Sequence, residues 1–373
     1  MGKMINANLS KIEECNQFSG SYSKDDVVFL LKPCRIKMTD VVEKERLIQS
    51  GQKHYSEMLS AECIPDNRYM TLYHEALDRN AGRLRRDVEA LADAIASRPE
   101  TAAECVVTSL ARAGTPIGVL LKRALERRGT IAHHYSISII RARGIDMNAL
   151  RFIHARHGSA STIFVDGWTG KGAIKRELDR SLNGNTLGFS PFFAVVADPA
   201  GVADLAATTE DYVIPSGLLN GIVSGLISRT VLTDELVGPN DFHACLFQQE
   251  FLGDDLSRTF IADIETAPIP KYTGELWTTE TAERVRTLSR SLVSEIMAEI
   301  GISDVNRVKP GIAEATRAIL RRVPERVYVS SFADPEILHM SHLAAKVGVS
   351  VIERDLANYR AVTIIKNLGG DQE

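Results

Sequence analysis

An acid, a glycine-rich turn and a cation stand together in FVDGWTGKGAI, from Phe164 to Ile174. Asp166 ends an apolar, β-branched run, Gly167, Gly170 and Gly172 allow a tight turn, Thr169 adds a hydroxyl and Lys171 a full charge. Such a turn, leading straight into a helix, can aim several backbone N–H groups at one anion while the helix dipole adds partial positive charge. The spacing is not that of a nucleotide-triphosphatase loop, because Gly167 and Gly170 stand too close and Gly172 takes the Ser/Thr position. The plain alternative is a strand-to-helix turn whose glycines only relieve backbone geometry. A second turn, in VTSLARAGTPIG from Val107 to Gly118, places Arg112 before Gly114 and Thr115 at the end of another apolar strand. Two anion-holding loops side by side suit a ligand with two separate phosphate groups; otherwise Arg112 is a solvated loop charge.

Other groups carry weaker signals. Asp198 in DPAG stands at a further strand end, as an acceptor contact or as a helix cap. His54, Tyr55 and Glu57 fall within one helical turn, and Arg141 and Arg143 follow another strand. Asn220, Ser224 and Arg229 could line a cleft or face a second subunit, which leaves a homodimer open. For thiol catalysis Cys34 and Cys63 flank His54 in sequence, yet neither sits in a nucleophile motif. GIVSG at Gly221–Gly225 is not G-x-S-x-G. His154 and His157 could ligate a metal, but no third ligand is evident beside them, so no metal is assigned to direct protein ligation.

The elements that must position these groups read as an α/β chain. Apolar strands are expected at Cys105–Leu110, His133–Ile140, Thr162–Val165 and Phe192–Ala197, each followed by a helical stretch, the last being DPAGVADLAA. That alternation predicts a parallel sheet covered on both faces, with ligands at the strands' carboxyl ends. Before it, VVFLLKPCRIK reads as a strand interrupted by Pro33, followed by helices that begin after Thr39 and around Leu72. After it, ETAPIPKYTGE at Glu265–Glu275 marks a boundary, Ala282–Ile300 a helix, and the remainder a small α/β module. Residues 1–75 are therefore assigned to an N-terminal hood, 76–265 to the core, 266–300 to a linker helix and 301–373 to the C-terminal module. In that module Lys309, Arg317, Arg321, Arg322 and Arg326 form a basic cluster that could track an RNA backbone or be a solvated helix face.

Composition sets the bounds. The chain has 373 residues, 44% hydrophobic and 25% charged, enough to bury the cores of two or three domains. A formal charge of -4 excludes nucleic-acid binding by bulk charge. Neither a secretory signal in Met1–Gly20 nor a long apolar run is visible, so the expectation is a cytoplasmic protein without membrane contact. Cys15, Cys34, Cys63, Cys105 and Cys245 are odd in number and lack any Cys-x-x-Cys pair, which reads as reduced thiols.

SLARAGTPIG followed by FVDGWTGKG resembles the type I phosphoribosyltransferases. The wider set HYSEML, SLARAGTPIG, FVDGWTGKG, DPAGVADLAATTEDYVIPSGLLN and VSGLISRTVL is similar to the StiP family, described as phosphoribosyltransferase-like, also labelled cysteine protease, and associated with tellurite-resistance and stress gene clusters. RVYVSSFADPEILHMSHLAAKVGVSVIERD resembles a Pelota-type RNA-binding domain, which implies RNA as a partner. The resemblance implies a phosphoribosyltransferase-like core that moves the phosphoribosyl group of phosphoribosyl diphosphate (PRPP) to a base-like acceptor. In it Asp166 would bind the ribose hydroxyls, Thr169, Gly170, Lys171 and Gly172 the 5-phosphate, and Ala111, Arg112, Ala113, Gly114 and Thr115 the diphosphate, with Mg²⁺ bridging. Lys32, Arg35 and His54 of the hood, with Asp198, would face the acceptor. The loop here is shorter than the family's and holds one acid where two adjoin, so the group that assists the incoming base must differ. A sensor that binds PRPP without turnover, and a cysteine peptidase, are the alternatives.

Overall fold

The β-branched runs form strands because they are buried on both faces: Cys105 to Leu110 and Phe193 to Ala197 lie wholly in the interior. The computed structural model describes residues 18–271, 274 and 276–368. In chain order the elements begin with β1 (Val28–Phe29), β2 (Lys32–Pro33), α1 (Val41–Gln49) and α2 (Asn67–Ala96). The core follows with β3 (Glu104–Leu110), α3 (Gly114–Arg127), β4 (Ile131–Ile137), β5 (Ile139–Ile140), β6 (Gly144–Ile145), α4 (Met147–His157), β7 (Thr162–Trp168) and α5 (Ala173–Leu182). It closes with β8 (Phe193–Ala197), β9 (Leu205–Thr208), β10 (Ala244–Cys245) and α6 (Ser257–Thr266). The C-terminal part holds α7 (Thr279–Glu299), β11 (Val308–Pro310), α8 (Ile312–Arg321), β12 (Pro324–Val329), α9 (Leu338–Lys346), β13 (Val351–Glu353) and β14 (Ala361–Ile365).

Six strands pair in the order β1-β4-β3-β7-β8-β9, every neighbour parallel. From β3 the chain moves outward to β4, then returns past β3 to β7. The order therefore reverses between β3 and β7, where an open parallel sheet leaves a crevice at the carboxyl ends of its strands. The C-terminal sheet, β11-β14-β12-β13, is mixed. One apolar cluster runs from α2 and α3 into α8 and α9, joining Tyr73 and Leu120 to Ile312, Ile319 and Met340. The C-terminal sheet thus packs on the core through a shared interior, and removal of that surface from water holds the two together.

Two expectations are corrected. DPAGVADLAA is not a helix: Pro199–Asp204 is a turn and Leu205–Thr208 is the edge strand β9, paired to β8. Hydrogen bonds offered by β8 outweigh the helix propensity of Leu and Ala in this stretch. The first strand splits into β1 and β2, of which only β1 joins the main sheet, while β2 pairs with β10. Residues 1–17 of the expected hood, Cys15 among them, and Tyr272, Thr273 and Glu275 of the expected boundary lie outside the described residues.

Candidate functional site

The turns after β3 and β7 meet at the reversal point, and the approach is close. A methyl group on Gly114 would stand 2.4 Å from the Val165 carbonyl oxygen, so only glycine lets α3 start there. Helices α1, α2 and α4 are capped by the side chains of Asp40, Asp66 and Asp146, whereas α3 and α5 begin at Ala113 and Gly172 without a side-chain cap. Gly172 makes the turn in the left-handed region at φ 76°. The N–H groups of Gly170, Lys171 and Gly172 find no backbone acceptor among the described residues. Two helix N-termini with unused donors therefore face one crevice.

That crevice is a cavity of about 300 Å³, lined by Ala111–Ala113, Asp166 and Trp168–Lys175 from the core. The hood adds Lys44, Ile48 and Tyr55, and the C-terminal module adds Lys309, Glu314, Arg317, Arg321 and Arg322. Helix α8 is thus a roof. Its first turn is capped by the core: Asp211 accepts from Ile312 N at 3.0 Å and also from Arg360 N at 2.9 Å. Gly170 touches the roof directly, since a methyl group there would lie 2.7 Å from Glu314 Cγ.

The lining carries ten lysines and arginines against two acids, Asp166 and Glu314. Carboxylates neutralise three of the cations. Arg112 pairs with Glu62, Arg322 with Glu45, and Lys175 with Asp179 and Asp204. Lys44, Arg141, Lys171, Arg229, Lys309, Arg317 and Arg321 have no carboxylate within ion-pair distance among the described residues. They repel one another in two groups, Lys171 with Lys309 and Arg141 beside the Thr169–Gly172 turn, and Arg321 with Arg317, Arg229 and Lys44 beside the Arg112 turn. Three guanidinium Nε donors of the lining, on Arg112, Arg317 and Arg321, are buried without any acceptor. Buried donors of this kind are costly unless something accepts from them.

Burial and mutual repulsion shift the titrations. Burial, then the neighbouring arginines, lowers Lys44 to about 7, and burial lowers Lys309 to about 8. Burial also pushes Lys171 well below its ordinary range, and its Nζ donates to the carbonyls of Val305 and Val308, the latter at 2.7 Å. Asp166 is raised by burial to about 7 although Gly167 N–H donates to its Oδ1 at 2.8 Å. Glu62 behaves oppositely: burial pushes it up, but Arg112 and Arg321 outweigh burial and hold it down to about 2.

The structure brings together both sequence-predicted turns, with Asp166, Thr169, Gly170, Lys171, Gly172, Ala111, Arg112 and Ala113 on the cavity wall. Gly114 and Thr115 lie behind it in α3, where the Thr115 hydroxyl meets Ser136 Oγ at 2.8 Å. Arg112 is bound up with Glu62, the Ile227 carbonyl and Asn220. The Thr169 hydroxyl donates to Asp198 at 2.7 Å and accepts from Ala200 N. Asp198 is therefore not on the cavity wall; it is fully buried and holds Thr169 in place. The hood residues named for the acceptor are also corrected. Lys32 pairs with Asp241, His54 Nδ1 meets Ser56 Oγ, and Arg35 is exposed; none lines the cavity. From the hood, Lys44, Ile48 and Tyr55 line the cavity instead. Lys309, Arg317, Arg321 and Arg322, expected as an RNA-tracking patch or a solvated helix face, turn inward to the cavity; Arg326, paired with Glu325, stands apart. The signal for the roof was the i, i+4 spacing of Arg317 and Arg321, which puts both on one face of α8.

The thiols lie elsewhere. Burial raises Cys34, and raises Cys105 to about 12 and Cys245 further. Cys63 is exposed and lines a second cavity of about 100 Å³ with Glu62, Asp66 and Lys346. No cysteine among the described residues lines the main cavity. No helix among the described residues is long and apolar enough to cross a membrane.

Residues 20–265 match a family described as tellurite-like stress resistance cysteine protease StiP, and residues 287–367 match the PELOTA RNA binding domain. A protein of Acinetobacter baylyi named cysteine protease StiP is 43% identical over 366 residues, covering 94% of this chain and 95% of the relative. Among solved structures, hypoxanthine phosphoribosyltransferase from Trypanosoma cruzi in complex with IMP matches at 13% identity and a TM-score of 0.28, over 36% of this chain and 79% of that one. HGPRT-ase from Leishmania tarentolae in complex with GMP matches at 11% identity and a TM-score of 0.22, over 39% and 82%.

Proposed function

This chain belongs to the StiP family, and on the chemistry of its main cavity we propose that it binds PRPP and transfers the phosphoribosyl group to a base-like acceptor, releasing diphosphate. The observation that carries the reading is the charge of the cavity. Seven lysines and arginines without carboxylate partners, three orphaned guanidinium donors and two uncapped helix starts surround a space whose acids are Asp166 and Glu314. A phosphate group carries about 1.5–2 negative charges at neutral pH, so a sugar bearing phosphates at both ends answers both cationic groups.

In this reading the N–H groups at Gly170–Gly172, with Lys309 and Arg141, hold the 5-phosphate, and the Ala111–Ala113 turn, with Arg321 and Arg317, holds the diphosphate. Asp166, between them, takes the ribose hydroxyls. Transfer breaks the bond from C1 to the diphosphate oxygen, which leaves with the electron pair, while an acceptor nitrogen bonds to C1 and gives up its proton. Fixed guanidinium groups stabilise the charge that gathers on the leaving oxygen without having to reorganise. The wall of Ile48, Tyr55, Ile139 and Ile140 suits a flat heterocycle. The donor set is almost wholly cationic, so Mg²⁺ fits only when carried in on the diphosphate, with Asp166 offering a carboxylate oxygen; it would then neutralise the departing charge.

The family's name supplies a second reading, a peptidase, and Cys63 beside the smaller cavity is the thiol that could serve it. The test is diphosphate release from PRPP by the full chain over a panel of purines, pyrimidines and related heterocycles. Release that disappears in Asp166→Asn is the expected outcome. Saturable PRPP binding without release with any acceptor would make the protein a sensor, and peptide cleavage lost in Cys63→Ser would favour the peptidase.

A further inference from the structure

A second constellation lies at the other end of the same sheet. Glu104 opens β3, and its parallel partner across the ladder is Ile131, so Glu104, His133 and Tyr135 fall on one face of the sheet by alternation. That is the face on which α4 packs, through Leu150 and Ile153 against Val106 and Tyr135. The last residue of α4 is His157, so packing brings its imidazole down onto Glu104 and His133.

The atoms converge as ligands would. Glu104 Oε1 lies 3.1 Å from His157 Nδ1 and 3.6 Å from His133 Nε2, and the three ligand atoms all lie within 4.8 Å of one another. Two donors each about 2.0–2.1 Å from a tetrahedral ion stand about 3.3 Å apart, so little movement is needed to close on a metal. The two imidazole rings lie with centroids 4.2 Å apart and planes tilted by 35°, each with a nitrogen beside the same carboxylate. The remaining nitrogen of His157, Nε2, is engaged by the Tyr135 hydroxyl at 2.9 Å. This is the outer contact by which ligating histidines are held in one orientation with the other nitrogen free for a metal.

We propose that Glu104, His133 and His157 form a binding site for a transition-metal dication of the Zn²⁺ class, tying the end of α4 to the starts of β3 and β4. Two nitrogen donors and one carboxylate select such an ion over Mg²⁺ or Ca²⁺, which take oxygen ligands. Three protein ligands leave a fourth position for water. The site is distinct from the anion cavity: Glu104 and Leu110 are the two ends of β3, about 20 Å apart at the usual rise per residue.

The experiment titrates the chelator-treated full chain, as Cys63→Ser to remove the exposed thiol, with Co²⁺ and then Zn²⁺. Cobalt's visible absorption is followed together with the melting temperature. The expected result is one equivalent of Co²⁺ with an absorption band typical of four-coordination, displaced by Zn²⁺ and not by Mg²⁺, and a melting temperature that rises with metal. His133→Asn, at a half-exposed position, should weaken binding at least tenfold, and Glu104→Gln should weaken it as well. Absence of stoichiometric binding, or an affinity unchanged in the Glu104→Gln/His133→Asn double variant, overturns the proposal.

Discussion

Arg112 shows how one side chain can be committed before any ligand arrives. Its guanidinium and the Glu62 carboxylate are both buried, and Glu62 also accepts from Gly221 N at 3.2 Å. Arg112→Ala strands that carboxylate in the interior, which should cost about 3–5 kcal/mol in urea unfolding. Adding Glu62→Gln to it should recover a good part of the loss. The lysines make a different prediction. Lys44 and Lys309, held near 7 and 8 in the fold, regain the ordinary lysine value near 10.4 when unfolded. Above pH 7 the unfolded chain binds more protons at these residues than the fold does, so their contribution to stability rises with pH from about 7 to 10. A bound polyanion recharges them. Calorimetry of PRPP binding at pH 8 in buffers of different ionisation enthalpy should therefore show net proton uptake, reduced in Lys44→Met/Lys309→Met. Heats independent of buffer would count against the cationic reading.

Among the elements, α8 carries the least expected role. Nothing within the helix caps it; the cap comes from Asp211, on the far side of the domain junction. Asp211→Ala should lower stability by about 1–2 kcal/mol, the usual value of a lost N-cap. It should also weaken phosphate-ligand binding, because the helix that frays carries Arg317 and Arg321. Gly114→Ala should disturb the β3 turn itself, as its methyl group has no room against the Val165 carbonyl. The strands β3, β4, β7 and β8 were legible in sequence because central parallel strands are uninterrupted apolar runs. Strand β9 was not, because LAAT has the composition of a helix and becomes a strand only through pairing with β8. In the hood, the turn from Val41–Gln49 to Tyr55 sets which side chains reach the cavity, and that follows from tertiary packing rather than from spacing.

Across the whole molecule the cavity belongs to three parts of the chain at once. The acid and the glycine turns were legible because each is a short local pattern at a strand end. The roof was not: Lys309, Arg317 and Arg321 are far from those turns in sequence, and a basic helix face reads as solvent-facing until the fold turns it inward. The roof is fixed by shared apolar packing and by Glu336, which takes Arg79 Nε at 2.8 Å and Val213 N at 2.6 Å. The C-terminal module is thus a wall of the site: within the span 287–367 that matches an RNA-binding domain, Lys309, Arg317 and Arg321 face the cavity. Calorimetric titration of PRPP with Mg²⁺ into the full chain, and into Arg317→Gln/Arg321→Gln, tests this most directly. The expected result is a single site in the native chain, weakened at least tenfold in the double variant. Equal affinities in the two proteins, or no heat in either, would contradict a phosphate cavity closed by the C-terminal module.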